Sequence, residues 1–159
     1  MATAYVETSI PSYYSARPSK NPIDSARRLL TIQWWDEGAS GLELFNSEET
    51  WIEAQKGDSK QATERLQFLK SIPWLPYTNE VANLANQFLQ KGILPAKAAS
   101  DAIHIALASI HHIDYLVTWN FKHIANPFIQ KQLRQTVINS GFPLPILCSP
   151  EQLLIQNEI

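Results

Sequence analysis

The sequence predicts an α/β fold, a three-layer α/β/α sandwich in which helices cover both faces of a central, mostly parallel sheet. Short apolar runs that carry no charge are typical of strands buried in a parallel sheet. Segments with helical periodicity and capping residues separate these runs. No internal repeat or linker-like stretch interrupts the alternation. We therefore expect residues 1–159 to form a single domain.

Composition limits the possible classes of protein. A chain of 159 residues and 18.0 kDa is long enough to bury a core without disulfides or a structural metal. A net charge of −2 argues against the basic footprint that nucleic-acid-binding modules often carry. Cys148 is the lone cysteine, which suits a reducing compartment. Without a signal peptide or an apolar run long enough to span a bilayer, the sequence predicts a cytoplasmic protein with no membrane contact.

The first half of the chain predicts two strands and four helices. Residues 2–6 read as a short buried strand. A helix begins with Asn21 as N-cap and Pro22 at the first helical position, and Gly38 ends it. The apolar run at residues 42–45 predicts the second strand. N-caps of three further helices are predicted at Ser47, Asp58 and Thr78. A brief apolar run, WLPY at 74–77, separates the last two of these helices.

The second half continues the alternation. Pro95 opens a helix rich in small residues that runs to His112, and YLVTW at 115–119 predicts a strand. A helix follows from Pro127 to Gly141. The sequence PILC at 145–148 predicts a last strand at the edge of the sheet.

Acidic and polar residues follow the predicted strands directly. Ligands of open parallel sheets bind beyond the carboxyl ends of the strands. Glu7 occupies that position after the first strand, and Thr118 and Asn120 occupy it after YLV. Taken singly, Glu7 is better explained as a helix cap or ion-pair partner than as a ligand, and Glu53 is most simply a solvated helical residue. Asp101 stands among apolar helical neighbours, where a carboxylate is costly to bury unless a positive group meets it.

Four segments, in this order, resemble the PIN-domain ribonucleases, and specifically the VapC-like toxins of bacterial type II toxin–antitoxin systems. They are YVETS at 5–9, SEETWIEAQKG at 47–57, SDAIHIALA at 100–108 and YLVTWNFKHI at 115–124. The resemblance implies a PIN-like parallel sheet with acids gathered at one edge, where Mg²⁺ or Mn²⁺ binds and RNA is hydrolysed.

Carried over position by position, the resemblance implies a specific set of residues. Glu7, Glu53 and Asp101 are its first, second and third acids and the expected metal ligands. Asn120 stands at the fourth catalytic position. Thr118 is expected either to hydrogen-bond phosphate or a metal-bound water, or only to end its strand.

Two residues depart from the family pattern. The first acid of the family is usually Asp, and Glu7 is longer by one methylene. Another acid is common at the position of Asn120 or three residues later, where this chain has His123. The amide oxygen of Asn120 still suits Mg²⁺, but with one charge fewer the site should hold a second metal weakly.

The chemistry explains why acids are needed together. Phosphodiester hydrolysis requires a nucleophilic water and charge relief on the leaving oxygen, which bound divalent metal provides. Glu7 and Asp101 are expected to contact the metal, with Glu53 orienting water. Without metal, three converging carboxylates should raise one another's pKa values, so that metal binding stabilises the protein.

Three functions remain open on the sequence. The first is a metal-dependent endoribonuclease toxin that forms a homodimer and is inhibited by an antitoxin peptide in its acidic groove. The second is a catalytically weak protein of the same fold that binds RNA or a partner. The third is another Mg²⁺-dependent phosphoryl-transfer enzyme, although the P-loop pattern GxxxxGK[ST] is absent.

Several other residues have two interpretations. His104 suggests zinc, but without a cysteine partner or an HExxH pattern a core histidine is favoured. Aromatic residues in IQWWDEG and SIPWLPY would suit either a dimer interface or the core. Cations available for RNA are Arg17, Lys20, Arg27, Arg28 and Lys122. Aromatic rings that would stack on bases, or lie in the core as is more common, are those of Tyr13, Tyr14, Trp119 and Phe121.

Overall fold

The computed structural model describes residues 1–154 and contains a four-stranded sheet in which all neighbouring strands are parallel. Residues 155–159, which the predicted domain also included, lie outside the described residues. The strands are β1 (Thr3–Val6), β2 (Glu43–Phe45), β3 (Tyr115–Val117) and β4 (Ile146–Cys148). Their order in the sheet is β2-β1-β3-β4, so the last strand is an edge strand, as predicted.

Helices connect the strands. They are α1 (Ser9–Tyr14), α2 (Pro22–Glu37), α3 (Glu48–Ala54), α4 (Ser59–Leu69), α5 (Asn79–Gln90), α6 (Ala99–Ile110), α7 (Pro127–Asn139) and α8 (Pro150–Leu154). Short 3₁₀ turns occur at Ala39–Gly41 and Ala96–Ala98. Within residues 1–154, no helix combines the length and the apolar character needed to cross a membrane.

The predicted N-caps are confirmed. Asn21, Ser47, Asp58 and Thr78 each accept a hydrogen bond from a backbone N–H in the first turn of α2, α3, α4 and α5, respectively. These bonds satisfy donors that have no partner inside the helix. Pro95 precedes a 3₁₀ turn rather than α6 itself, so α6 begins at Ala99.

Two helices differ from the prediction, and one apolar run forms no strand. Helices α1 and α8 were not predicted, since each is too short to show helical periodicity. The apolar run WLPY does not extend the sheet, because only Trp74 pairs there, in an isolated bridge to Asn46.

The core lies in two layers, one on each face of the sheet. Side chains alternate along β1, so Tyr5 packs on one face while Ala4 and Val6 pack on the other. The Tyr5 face is covered by α5, α6 and α7, through residues such as Phe88 and Leu133. The opposite face is covered by α1, α2, α4 and α8. The three-layer α/β/α sandwich is therefore confirmed, and its sheet brings the ends of β1 and β3 side by side.

Candidate metal centre

Glu7 lies where two central strands end together. The parallel register places Val6 beside Val117, and the Glu7 backbone N–H donates to the Val117 carbonyl at 3.2 Å. The Glu7 Oε1 atom accepts hydrogen bonds from the hydroxyls of Ser9 and Thr118, both at 2.6 Å. The first residue after β1 is thus held in place by the first residue after β3.

Burial disfavours the charged form of the Glu7 carboxylate. Its residue is only 5% exposed, and this burial raises its pKa above the usual value for Glu. The positive charge of His104 and the two hydroxyl donors offset part of that effect. A buried carboxylate of this kind gains free energy from a nearby cation.

Glu53 reaches the same place from α3. One ligand atom each from Glu7, Glu53 and His104 lie within 4.8 Å of one another. Glu53 Oε1 accepts hydrogen bonds from the Thr8 hydroxyl, at 2.6 Å, and from His104 Nε2. The three residues that follow β1 therefore act together. The Ser9 hydroxyl donates a hydrogen bond to Glu7, and the Thr8 hydroxyl donates one to Glu53.

His104 is the residue that sequence reasoning missed. It is fully buried in α6, as expected of a core histidine, but its ring joins Glu53 to the hydroxyl of Tyr5, which lies 2.6 Å from Nδ1. The Tyr5 hydroxyl also lies 2.6 Å from the Ser47 hydroxyl. Burial alone would lower the pKa of His104, but the oxygens of Tyr5, Glu53 and Glu7 outweigh it and raise that pKa well above its usual value. The sequence did contain a signal for this role. His104 lies three residues after Asp101 on α6, so the two side chains are on the same face of the helix.

The expectation that all three carboxyl pKa values would be raised is wrong for Glu53. Although burial works in the opposite direction, the hydrogen bond and the charge of His104 bring the pKa of Glu53 below its usual value. Glu7 and Asp101 follow the expectation, and in both burial is the main cause. The imidazole ring supplies a positive charge that three acids by themselves lack.

Asp101 lies beside this group but is bonded to other partners. Its Oδ1 accepts from Asn120 Nδ2 at 3.0 Å, and its Oδ2 lies 3.3 Å from His123 Nδ1. His123 thus gives this partly buried acid a hydrogen-bonding partner. Among the described residues, the set of ligand atoms within 4.8 Å of one another comprises Glu7, Glu53 and His104 and does not include Asp101.

The remaining predicted site residues are also placed. The amide of Asn120 donates to Asp101 and accepts from the His123 backbone N–H at 2.9 Å. Thr118 is fully buried, and its hydroxyl donates to Glu7 and accepts from the Asn120 N–H at 2.8 Å. The structure thus brings Glu7 and Glu53 together, pairs Asp101 with Asn120 next to them, and turns Thr118 toward Glu7.

The donor set fits a divalent cation. In both Glu7 and Glu53, Oε1 receives the hydrogen bonds, and Oε2 accepts none from residues 1–154. Carboxylate oxygens are the ligands that Mg²⁺ and Mn²⁺ prefer. The side chain of Glu53 is 24% exposed and that of Asp101 is 16% exposed, so the group opens to solvent on their side.

The known proteins that this chain resembles are similar to it in structure rather than in sequence. No protein-family model and no curated protein matches the sequence. VapBC2 from Rickettsia felis, solved with a DNA fragment from its promoter, is 17% identical with a TM-score of 0.52, over 92% of this chain and 98% of that chain. VapC20 from Mycobacterium tuberculosis, a toxin that cleaves the sarcin–ricin loop, is 14% identical with a TM-score of 0.57, over 76% of this chain and 92% of that chain. The chain therefore has the PIN-like α/β/α fold of these VapC toxin structures, which confirms the resemblance at the level of the fold.

Proposed function

We propose that the protein is an endoribonuclease that depends on Mg²⁺ or Mn²⁺ and acts as the toxin of a toxin–antitoxin pair. The convergence of Glu7 and Glu53 carries the proposal, because two acids 46 residues apart in sequence share one group of ligand atoms within 4.8 Å. They do so at the carboxyl ends of parallel strands, where ligands of such sheets bind. The likeness to VapC20, which cleaves RNA, supports the same activity.

Each side chain has a distinct task in this proposal. A divalent metal bound here would supply an activated water and charge relief on the leaving oxygen. Glu7, fixed by Ser9 and Thr118, offers its Oε2 as a ligand. Asp101, whose oxygens are held by Asn120 and His123, would complete the set through water. Glu53, the more exposed glutamate, would both bind the metal and orient the attacking water.

His104 acts as a positioning residue in the same proposal. Its Nε2–H donates to Glu53 Oε1 and leaves Oε2 as the oxygen that would bind a metal. The Tyr5 hydroxyl fixes the other side of the ring. Histidine ligands and acids are commonly oriented by such partners.

A cleavage assay tests this function. We expect the wild-type protein to cleave single-stranded RNA with Mg²⁺ or Mn²⁺ and to stop when EDTA is added. Asp101→Ala and Glu7→Gln should each reduce cleavage by about 100-fold or more, since partners of metal ligands alone are worth 10- to 100-fold. Circular dichroism confirms that the variants are folded.

A second function is favoured by one specific observation. The amide of Asn120 occupies a carboxylate position of the family and is bonded to Asp101, which removes one negative charge from the site. A catalytically weak protein that binds RNA or a partner would show this feature too. If the wild type and both variants cleave equally little while RNA is still bound, this second function replaces the first.

Partners follow from the toxin proposal. We propose a cytoplasmic protein whose acidic groove is occupied by an antitoxin peptide. Expression should then arrest growth, and co-expression of the product of the neighbouring open reading frame should restore it.

A homodimer is part of the same proposal. Trp34 is fully buried and belongs to the core, whereas Trp74 and Tyr77 are about half exposed, so SIPWLPY supplies the better interface. Sedimentation equilibrium should give a dimer mass, and Trp74→Glu should give a monomer.

A further inference from the structure

Arg27 of α2 is held among three aromatic rings. Its guanidinium carbon lies 6.0 Å from the ring centroid of Tyr13, 5.4 Å from that of Trp119 and 5.2 Å from that of Phe121. The rings come from α1 and from the segment after β3, so three parts of the chain contribute. Cation–π attraction at these distances holds the guanidinium among the rings. We call these four residues the arginine cluster.

The arginine cluster adjoins the metal centre. The backbone N–H of Trp119 donates to the Ser9 hydroxyl at 2.8 Å, and that hydroxyl donates to Glu7. The indole N–H of Trp119 donates to Thr31 on α2 at 2.8 Å, which fixes the ring beside Arg27. Two hydrogen bonds therefore join the cluster to the first acid.

The charge of Arg27 is not neutralised by an acid. Within residues 1–154, no carboxylate lies in ion-pair distance of Arg27, and its hydrogen bond to the Tyr13 hydroxyl is long, at 3.4 Å. The nearby carboxylate of Asp24 accepts from Tyr13 instead. Arg17 and Arg28 differ, because Arg17 pairs with Asp58 and Arg28 donates to the Ala16 carbonyl. Arg27 thus keeps donors for a ligand.

An aromatic ring beside this cation is open to solvent. Phe121 is 43% exposed, whereas Trp119 is 6% exposed and serves as the base of the cluster. An arginine with unused donors matches a phosphate, and an exposed ring matches the face of an unstacked base. If the arginine cluster served packing alone, the ring of Phe121 would be expected to be buried from solvent.

We propose that Arg27 and Phe121 form a subsite for single-stranded RNA, in which Arg27 binds a backbone phosphate and Phe121 stacks on the adjoining base, next to the scissile position at the metal centre. The proposal rests on the proposed function for the class of ligand. The subsite also places positive charge beside an otherwise acidic edge, where it offsets the repulsion of the RNA backbone.

Binding in the absence of cleavage tests the subsite. All proteins carry Asp101→Asn so that RNA stays intact, and fluorescence anisotropy follows a fluorescein-labelled, single-stranded RNA oligonucleotide of mixed sequence. Arg27→Gln should raise Kd by about tenfold and lower the slope of log Kd against log salt by about one unit. Phe121→Ala should raise Kd by about fivefold with an unchanged slope. Arg134→Gln is the matched control, because Arg134 is exposed on α7 and its loss changes the net charge equally.

The outcomes separate the subsite from the nuclease. A Kd that rises for Arg27→Gln and Phe121→Ala but changes less than about twofold for Arg134→Gln supports the subsite. Equal weakening by Arg27→Gln and Arg134→Gln, or an unchanged Kd for Phe121→Ala, overturns it. Should Arg27→Gln fail to fold, the exposed Phe121 still decides the question. Because the assay needs no cleavage, a protein without nuclease activity but with Arg27-dependent binding would refute the proposed function and keep the subsite.

Discussion

Replacing Glu53 with glutamine is expected to lower Mg²⁺-dependent RNA cleavage by about 100-fold or more. The amide keeps the size of the side chain but has no negative charge for the metal and a poorer oxygen for orienting water. It also weakens the hydrogen bond from His104, which is assisted by the carboxylate charge. Initial rates of RNA cleavage under saturating Mg²⁺ measure the effect.

Glu48 provides the control for this substitution. It lies on the same helix as Glu53 and is exposed, so Glu48→Gln removes the same charge away from the site. We expect its cleavage rate to match that of the wild type. Equal rates for Glu53→Gln and Glu48→Gln would show that Glu53 has no part in the reaction.

Removing the buried imidazole is expected to have the largest effect on stability. In the presence of EDTA, His104→Leu should lower the free energy of unfolding by about 2–3 kcal/mol, the lower end for a broken buried pair because Glu53 retains some solvent contact. The substitution leaves Glu53 with Thr8 as its donor and leaves Glu7 without a nearby positive charge. Urea unfolding followed by circular dichroism measures the change.

Added Mg²⁺ and the milder variant Tyr5→Phe provide two further measurements of how His104 stabilises the protein. Saturating Mg²⁺ should stabilise His104→Leu by more than it stabilises the wild type, because the ion replaces the missing positive charge. Tyr5→Phe removes only the hydroxyl that contacts His104 and should cost about 1 kcal/mol. If His104→Leu unfolds at the same urea concentration as the wild type in EDTA, the imidazole does not compensate the acids.

The fold was largely predictable because its signals are local. Caps such as Asn21 and Ser47 act within one helical turn, and the uncharged strand at Tyr5 reflects burial on both faces of the sheet. Helix α1 escaped prediction since its six residues, SIPSYY, are fewer than two turns. The apolar run WLPY adds no strand to the sheet, and Pro76 within it has no N–H to donate.

The candidate site was predictable only in part, since its contacts join distant segments. Strand ends indicated Glu7 and Thr118, and the family resemblance added Glu53 and Asp101. The position of His104 depends on which face of α6 packs on the sheet. On that face its ring contacts the hydroxyl of Tyr5, a residue 99 positions earlier in the chain. Sequence alone likewise did not show that Asp101 would be bonded by Asn120 and His123.

Anomalous diffraction from crystals containing Mn²⁺ tests most directly whether these acids hold a metal. We expect a peak about 2 Å from the carboxylate oxygens of Glu7 and Glu53, with Asp101 in its water shell, and no such peak in crystals of Glu7→Gln. A crystal that binds Mn²⁺ elsewhere while Glu53 stays paired only with His104 and Thr8 would contradict the metal centre and the nuclease built upon it.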